Sequence, residues 1–92
     1  MHPPPFIDGM KPLYFADVVE YKSVLSGYMM DVPRMFVLVW VADDRSYCIL
    51  GTDVQFGNWE RYSNYVFADL KTAMEAPEVI FRIPKFPWKK VK

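Results

Sequence analysis

The stretch "RMFVLVWVA" constrains this chain more than any other. Residues 35–42 are eight consecutive apolar residues, most of them β-branched or aromatic, the types that pack best on a pleated, buried surface. Side chains alternate across a strand. Phe36, Leu38 and Trp40 therefore point to one face, and Met35, Val37, Val39 and Val41 to the other. Both rows are apolar. Burial is worth about 25 cal/mol per Å² of apolar surface, so both faces of this strand have to be covered. Helices divided between the faces, terminal arms folded over one of them, or a second molecule are the three ways to do so.

The residues after this strand turn it back. Asp43, Asp44 and Arg45 read as a hairpin tip, where adjacent carboxylates tolerate unusual dihedrals; an acid/base pair or a hard-metal site is the less economical reading. Residues 46–50 form the returning arm. Cys48 lies within it and behaves as a small buried hydrophobe.

Elsewhere the apolar spacing looks helical. Tyr14, Val18, Tyr21, Leu25 and Tyr28 recur at intervals of four and three, one stripe of an amphipathic helix, with Pro12 in its first turn and Gly27 at its stop. A strand is the competing reading, since "YFADVVEYKSVL" is rich in Tyr and Val. After the hairpin, "GTDVQFGN" is a Gly-bounded loop with a short extra strand at 54–56 as an option. Asn58 suits an N-cap, with Ser63 as a later alternative. Trp59, Tyr62, Val66, Leu70 and Ala73 share a helical face to about Glu75. Pro77 ends that helix, because a residue preceding proline avoids the α region. "EVIFRI", residues 78–83, reads as the last strand, closed by Pro84.

The expected fold is thus a small α+β domain of order α-β-β-α-β. With right-handed crossovers it has two helices and a mostly antiparallel three-stranded sheet of order 2-1-3, with residues 35–42 central. All 92 residues fall in one domain, near the lower size limit, where only ~60–70% of the unfolded surface is buried. A Pro-rich arm, residues 1–12, precedes the body, with Phe6 and Ile7 as its anchors. A basic aromatic tail, residues 84–92, follows it.

Composition excludes several functions. Cys48 is the sole cysteine, so no intramolecular disulfide forms. His2 is the sole histidine and sits in the Pro-rich start, so neither a Ser-His-Asp or Cys-His system nor a zinc site is expected. No Gly-rich phosphate loop is present, and no cofactor or metal is expected. No apolar run approaches the ~18 residues of a membrane span, and the first residues lack the pattern of a signal peptide; the cytoplasm is the expected location. The chain is read as no enzyme.

Net charge is zero, but unevenly spread. Residues 1–44 carry three basic and six acidic side chains, residues 45–92 eight and five. The end, "RIPKFPWKKVK", holds five basic residues, two aromatics and no acid. Basic and aromatic residues interleaved in this way suit an acidic protein, single-stranded nucleic acid or an anionic membrane surface. Alternatively, Phe86 and Trp88 fold back onto the sheet while the lysines keep the end solvated.

A chain with sixteen aromatics and no catalytic groups has mainly its surface to use, and Trp and Tyr dominate interface hot spots. The reading that follows is a protein-binding regulator, inhibitor or accessory subunit. Its expected surface comprises Trp59, Arg61, Tyr62, Arg82, Lys85, Phe86, Trp88, Lys89 and Lys90. The alternatives are a single-strand nucleic-acid binder using the tail and residues 59–65, and a self-associating subunit such as a homodimer.

Overall fold

A computed structural model describes residues 3–52 and 66–92, and the backbone of residues 59–61. Its elements are β1 (Lys11–Asp17), a 3-10 turn (Val19–Tyr21) running into α1 (Lys22–Leu25), β2 (Met35–Val41), β3 (Ser46–Thr52), β4 (Trp59–Arg61), α2 (Leu70–Ile80) and β5 (Lys89–Lys90). The strands form one antiparallel sheet in the order β4-β3-β2-β1-β5. The α+β class with two helices stands, and so does the central place of residues 35–41. The three-strand sheet of order 2-1-3 does not.

The β2–β3 hairpin follows the sequence reading closely. Met35 pairs with Thr52 and Val41 with Ser46; residues 42–45 form the tip, where the Arg45 N–H donates to the Ala42 carbonyl at 3.2 Å. Trp40 and Tyr47 face each other across the ladder, ring centroids 4.9 Å apart, the cross-strand aromatic pairing that stabilises sheets. Cys48 is buried.

The first half of the first expected helix is instead a strand, while its second half, Val19–Tyr21 and Lys22–Leu25, is helical. Lys11 to Asp17 pair along β2, with a register irregularity between Pro12 and Tyr14. Tyr14, Ala16 and Val18 turn to one core and Phe15 to the other, a period of two. The Asp17 carboxylate accepts the Val19 N–H at 3.1 Å as the chain leaves β1 for the short helical turns.

The second expected helix starts late and runs on. Trp59–Arg61 is a strand paired with β3, while the expected strand at 54–56 and the caps Asn58 and Ser63 lie outside the described residues. Asp69 is the N-cap of α2. Pro77 sits inside the helix rather than ending it. An interior proline forfeits one hydrogen bond and crowds the preceding turn, but Pro77 is fully buried and its carbonyl accepts the Phe81 N–H at 3.1 Å. Residues 78–80, expected in the last strand, complete α2.

Both faces of β2 are covered by the chain itself. On the first, Phe36, Leu38 and Ile49 pack under Ala73 and Ala76 of α2, Leu25, and Phe81, Ile83 and Phe86. The Phe36 and Phe86 rings stack at 6.0 Å and 24°. On the second, Phe15, Val37, Val39, Cys48 and Leu50 meet Ile7 and Met10 of the arm and Val91 of the tail. Met35 through Val39 are all buried. Terminal arms, not a second molecule, solve the two-faced strand. Of the two anchors expected in the arm, only Ile7 is one (2% exposed); Phe6 is 66% exposed.

Candidate functional site

The structure divides the expected binding residues rather than gathering them. Phe86 belongs to the core. Trp88 is half-buried: its ring meets Phe86 edge-on at 4.8 Å, and its indole N–H donates to the Met74 carbonyl. The aromatic half of the tail is thus folded back, and both rings are spent on packing. Arg82 and Lys85 are exposed on the turns that return the chain, both at positive φ (55° and 52°). The Lys85 backbone N–H donates to the Glu78 carboxylate at 2.6 Å. Lys89 and Lys90 form β5, at one edge of the sheet, whereas Trp59 and Arg61 lie in β4 at the other. Four inter-strand spacings of ~4.8 Å separate those edges, so the tail and residues 59–61 share no continuous patch. Tyr62 lies outside the described residues.

Edge lysines have an ordinary role: a short, charged edge strand discourages pairing with another sheet. That suffices for Lys89, which lines a cleft where Arg34 and Lys89 are balanced by Asp17 and Glu20. A second hollow, between the Asp8 turn and the hairpin tip, carries Asp8, Asp43 and Asp44. Among the described residues no three His, Cys, Asp or Glu side chains group closely enough to hold a metal.

A third hollow is different in kind. It is a groove of about 580 Å³ beside β1, walled by Pro5 and Phe6 of the arm, by Lys90, Val91 and Lys92 of the tail, and by Leu70 at the start of α2. Lys11, Pro12, Leu13 and Tyr14 of β1 complete its lining. Among the described residues that line it, every charged one is a lysine: Lys11, Lys90 and Lys92. The remainder are prolines, aliphatics and two aromatic rings. A groove of this size falls within the ~300–1,000 Å³ of ordinary ligand sites.

The tail wall is tied to β1, and the arm is anchored at buried Ile7, where it turns. Ile7 and Met10 exchange backbone hydrogen bonds at 3.0 and 2.8 Å, with Asp8 and Gly9 at positive φ in the turn between them. Gly9, at φ 79°, occupies a conformation that glycine adopts without strain. In the tail the Val91 N–H donates to the Leu13 carbonyl at 2.9 Å, continuing the pairing of Lys90 with Tyr14.

Of the expected surface residues whose side chains the structure describes, only Lys90 lines this groove. Lys11, Lys92, Phe6 and Tyr14 also line it and were not among the expected surface residues. Lys92 carried the tail's charge pattern; Lys11 was read as part of the Pro-rich arm and Tyr14 as part of a helix, and neither reading places them beside the tail. Among the described residues no helix is long and apolar enough to cross a membrane. No protein-family model, no curated protein and no solved structure matches this chain.

Proposed function

We propose that the protein is a non-enzymatic protein-binding module, a regulator, inhibitor or accessory subunit, that engages its partner through the basic groove beside β1. The observation that carries this reading is the groove's composition: among the described residues that line it, three lysines and no acid, set among apolar side chains. The two-faced strand no longer argues for a partner, because the chain covers it. Three lysines favour anionic groups by simple Coulomb attraction, and the apolar lining gives a bound segment something to desolvate against. A reducing cytoplasm is the proposed setting, consistent with a single, buried cysteine.

The test is affinity capture from the source cells with the wild-type chain and with a Lys11→Glu/Lys90→Glu/Lys92→Glu variant of equal thermal stability. The reading expects a protein retained in stoichiometric amount by the wild type and lost by the variant. Identical retention by both discards it.

Phe6 favours a second reading. Its ring is exposed beside the lysines, and exposed aromatics with lysines suit single-stranded nucleic acid. Zero net charge weighs against it, since phosphate neutralisation dominates such affinity. A labelled oligothymidine decides: binding that falls steeply with salt supports this reading, and no binding at low salt removes it.

A further inference from the structure

We infer that the occupant of the groove is a short acidic segment of another protein that carries one large apolar side chain among its carboxylates. This rests on the protein-binding reading above and names the chemistry of the partner. The argument begins from the arrangement of the lining. Lys11 stands at the start of β1, Lys90 and Lys92 on the tail that pairs with β1, and Leu13, Leu70 and Val91 line the same groove. A segment entering the groove therefore meets three cations and hydrocarbon together.

Carboxylates alone would make only solvent-exposed ion pairs here, which contribute little and are screened by salt. An apolar side chain alone would leave the three ammonium groups without counter-charges. A segment with both satisfies both. The groove is also partly pre-organised: the tail is held by Val91 to Leu13, and Ile7, next to Phe6, is buried. Less ordering entropy therefore opposes binding on the protein's side. Three lysines on a chain of zero net charge suit a few carboxylates better than a phosphate backbone, which demands an extended basic track.

The experiment uses the full chain and three fluorescein-labelled peptides of equal length: glutamates around a central leucine, glutamates alone, and glutamines around the same leucine. The expected result is that the first binds at least about tenfold tighter than either other, equivalent to about 1.4 kcal/mol. Its affinity should fall with added salt, and at least about tenfold again in Lys90→Glu/Lys92→Glu and in Leu70→Glu. Circular dichroism establishes that both variants are folded; Leu13→Ala replaces Leu70→Glu if the latter is not.

Equal binding of the glutamate-only peptide overturns the inference, as does tighter binding of oligothymidine or of anionic vesicles. A concentration-dependent mass that vanishes in Asp43→Asn/Asp44→Asn also overturns it, by showing that the chain's own acidic tip fills the groove. If no peptide binds while capture from extract still depends on the lysines, the inference fails and the module reading survives. If capture is also indifferent to the lysines, both fail.

Discussion

The indole N–H of Trp88 donates a 2.9 Å hydrogen bond to the backbone carbonyl of Met74, fastening the tail of the chain to the middle of α2. Next to it, Phe86 stacks on Phe36 of the central strand. The tail is consequently part of the core. Trp88→Phe keeps the ring's bulk but removes the donor, with an expected loss of about 1 kcal/mol, typical of one hydrogen bond. Phe86→Ala should lose about 3–5 kcal/mol, because it empties a site enclosed by aromatic neighbours. Urea unfolding followed by circular dichroism measures both, and equal losses for the two would refute this division of roles.

Asp69 gives α2 a pH dependence. Its carboxylate accepts the Thr72 backbone N–H at 2.8 Å and the Thr72 hydroxyl at 2.9 Å, and those bonds, the backbone one foremost, hold its pKa below the ordinary 3.8. A depressed folded-state value means that the stabilisation is present above 3.8 and is lost as pH falls through the lower, folded value. The carboxylate is fully exposed, so the effect is small and screened by salt. Asp69→Asn still caps the helix but does not titrate. The wild type should lose more stability than this variant on acidification below about pH 4; parallel stability curves for the two would contradict the assignment.

The hairpin and its two-faced central strand were legible in the sequence because an eight-residue apolar run supports few other readings. β1 was not. Tyr14 and Val18 are four apart, and a spacing of four satisfies a period of two as well as one of 3.6. The decisive partner, the open edge of β2, is a tertiary fact that no local pattern records. The same limit applies to α2: Pro77 reads as a stop locally, but burial against the core overrides the preference. For the groove, the lysines of the tail were visible, yet their meeting with Lys11 depends on β5 pairing with β1, between residues more than seventy positions apart.

Thr52 offers a stabilising change. Its hydroxyl is buried with no hydrogen-bond partner among the described residues, and an unsatisfied buried polar group carries its desolvation penalty uncompensated. Thr52→Val preserves shape and suits a strand. A gain of roughly 1 kcal/mol is expected, read as a higher urea midpoint at unchanged slope; a loss of stability would show that the hydroxyl is satisfied in solution.

Arg45 sits at φ 48° in the β2–β3 tip, the left-handed region, where an L side chain is disfavoured by ~1–2 kcal/mol. Glycine adopts it freely but loses more entropy on folding. The balance for Arg45→Gly should be a gain of about 0.5–1 kcal/mol. The hairpin register makes this a local test: thermal unfolding should shift upward with no change in the native circular dichroism spectrum. A decrease would mean that the Arg45 side chain contributes more than its backbone conformation gives up.

Charge and fold are separable in the tail only if it is altered by substitution. Truncation after Lys85 removes Phe86 from the core, Trp88 from its bond to Met74, and Val91 from both its hydrogen bond to Leu13 and the second core. The aromatic losses alone approach the ~5–15 kcal/mol by which domains are stable, so the truncated chain should be largely unfolded at room temperature. Lys90→Gln/Lys92→Gln removes two cations from exposed positions and should change stability by no more than about 0.5 kcal/mol. Any binding that both alterations abolish therefore implicates the lysines only through the second. A truncated chain that kept a native circular dichroism spectrum and a cooperative transition would show that the core closes without its last seven residues, and the packing account of Phe86 and Trp88 would have to be abandoned.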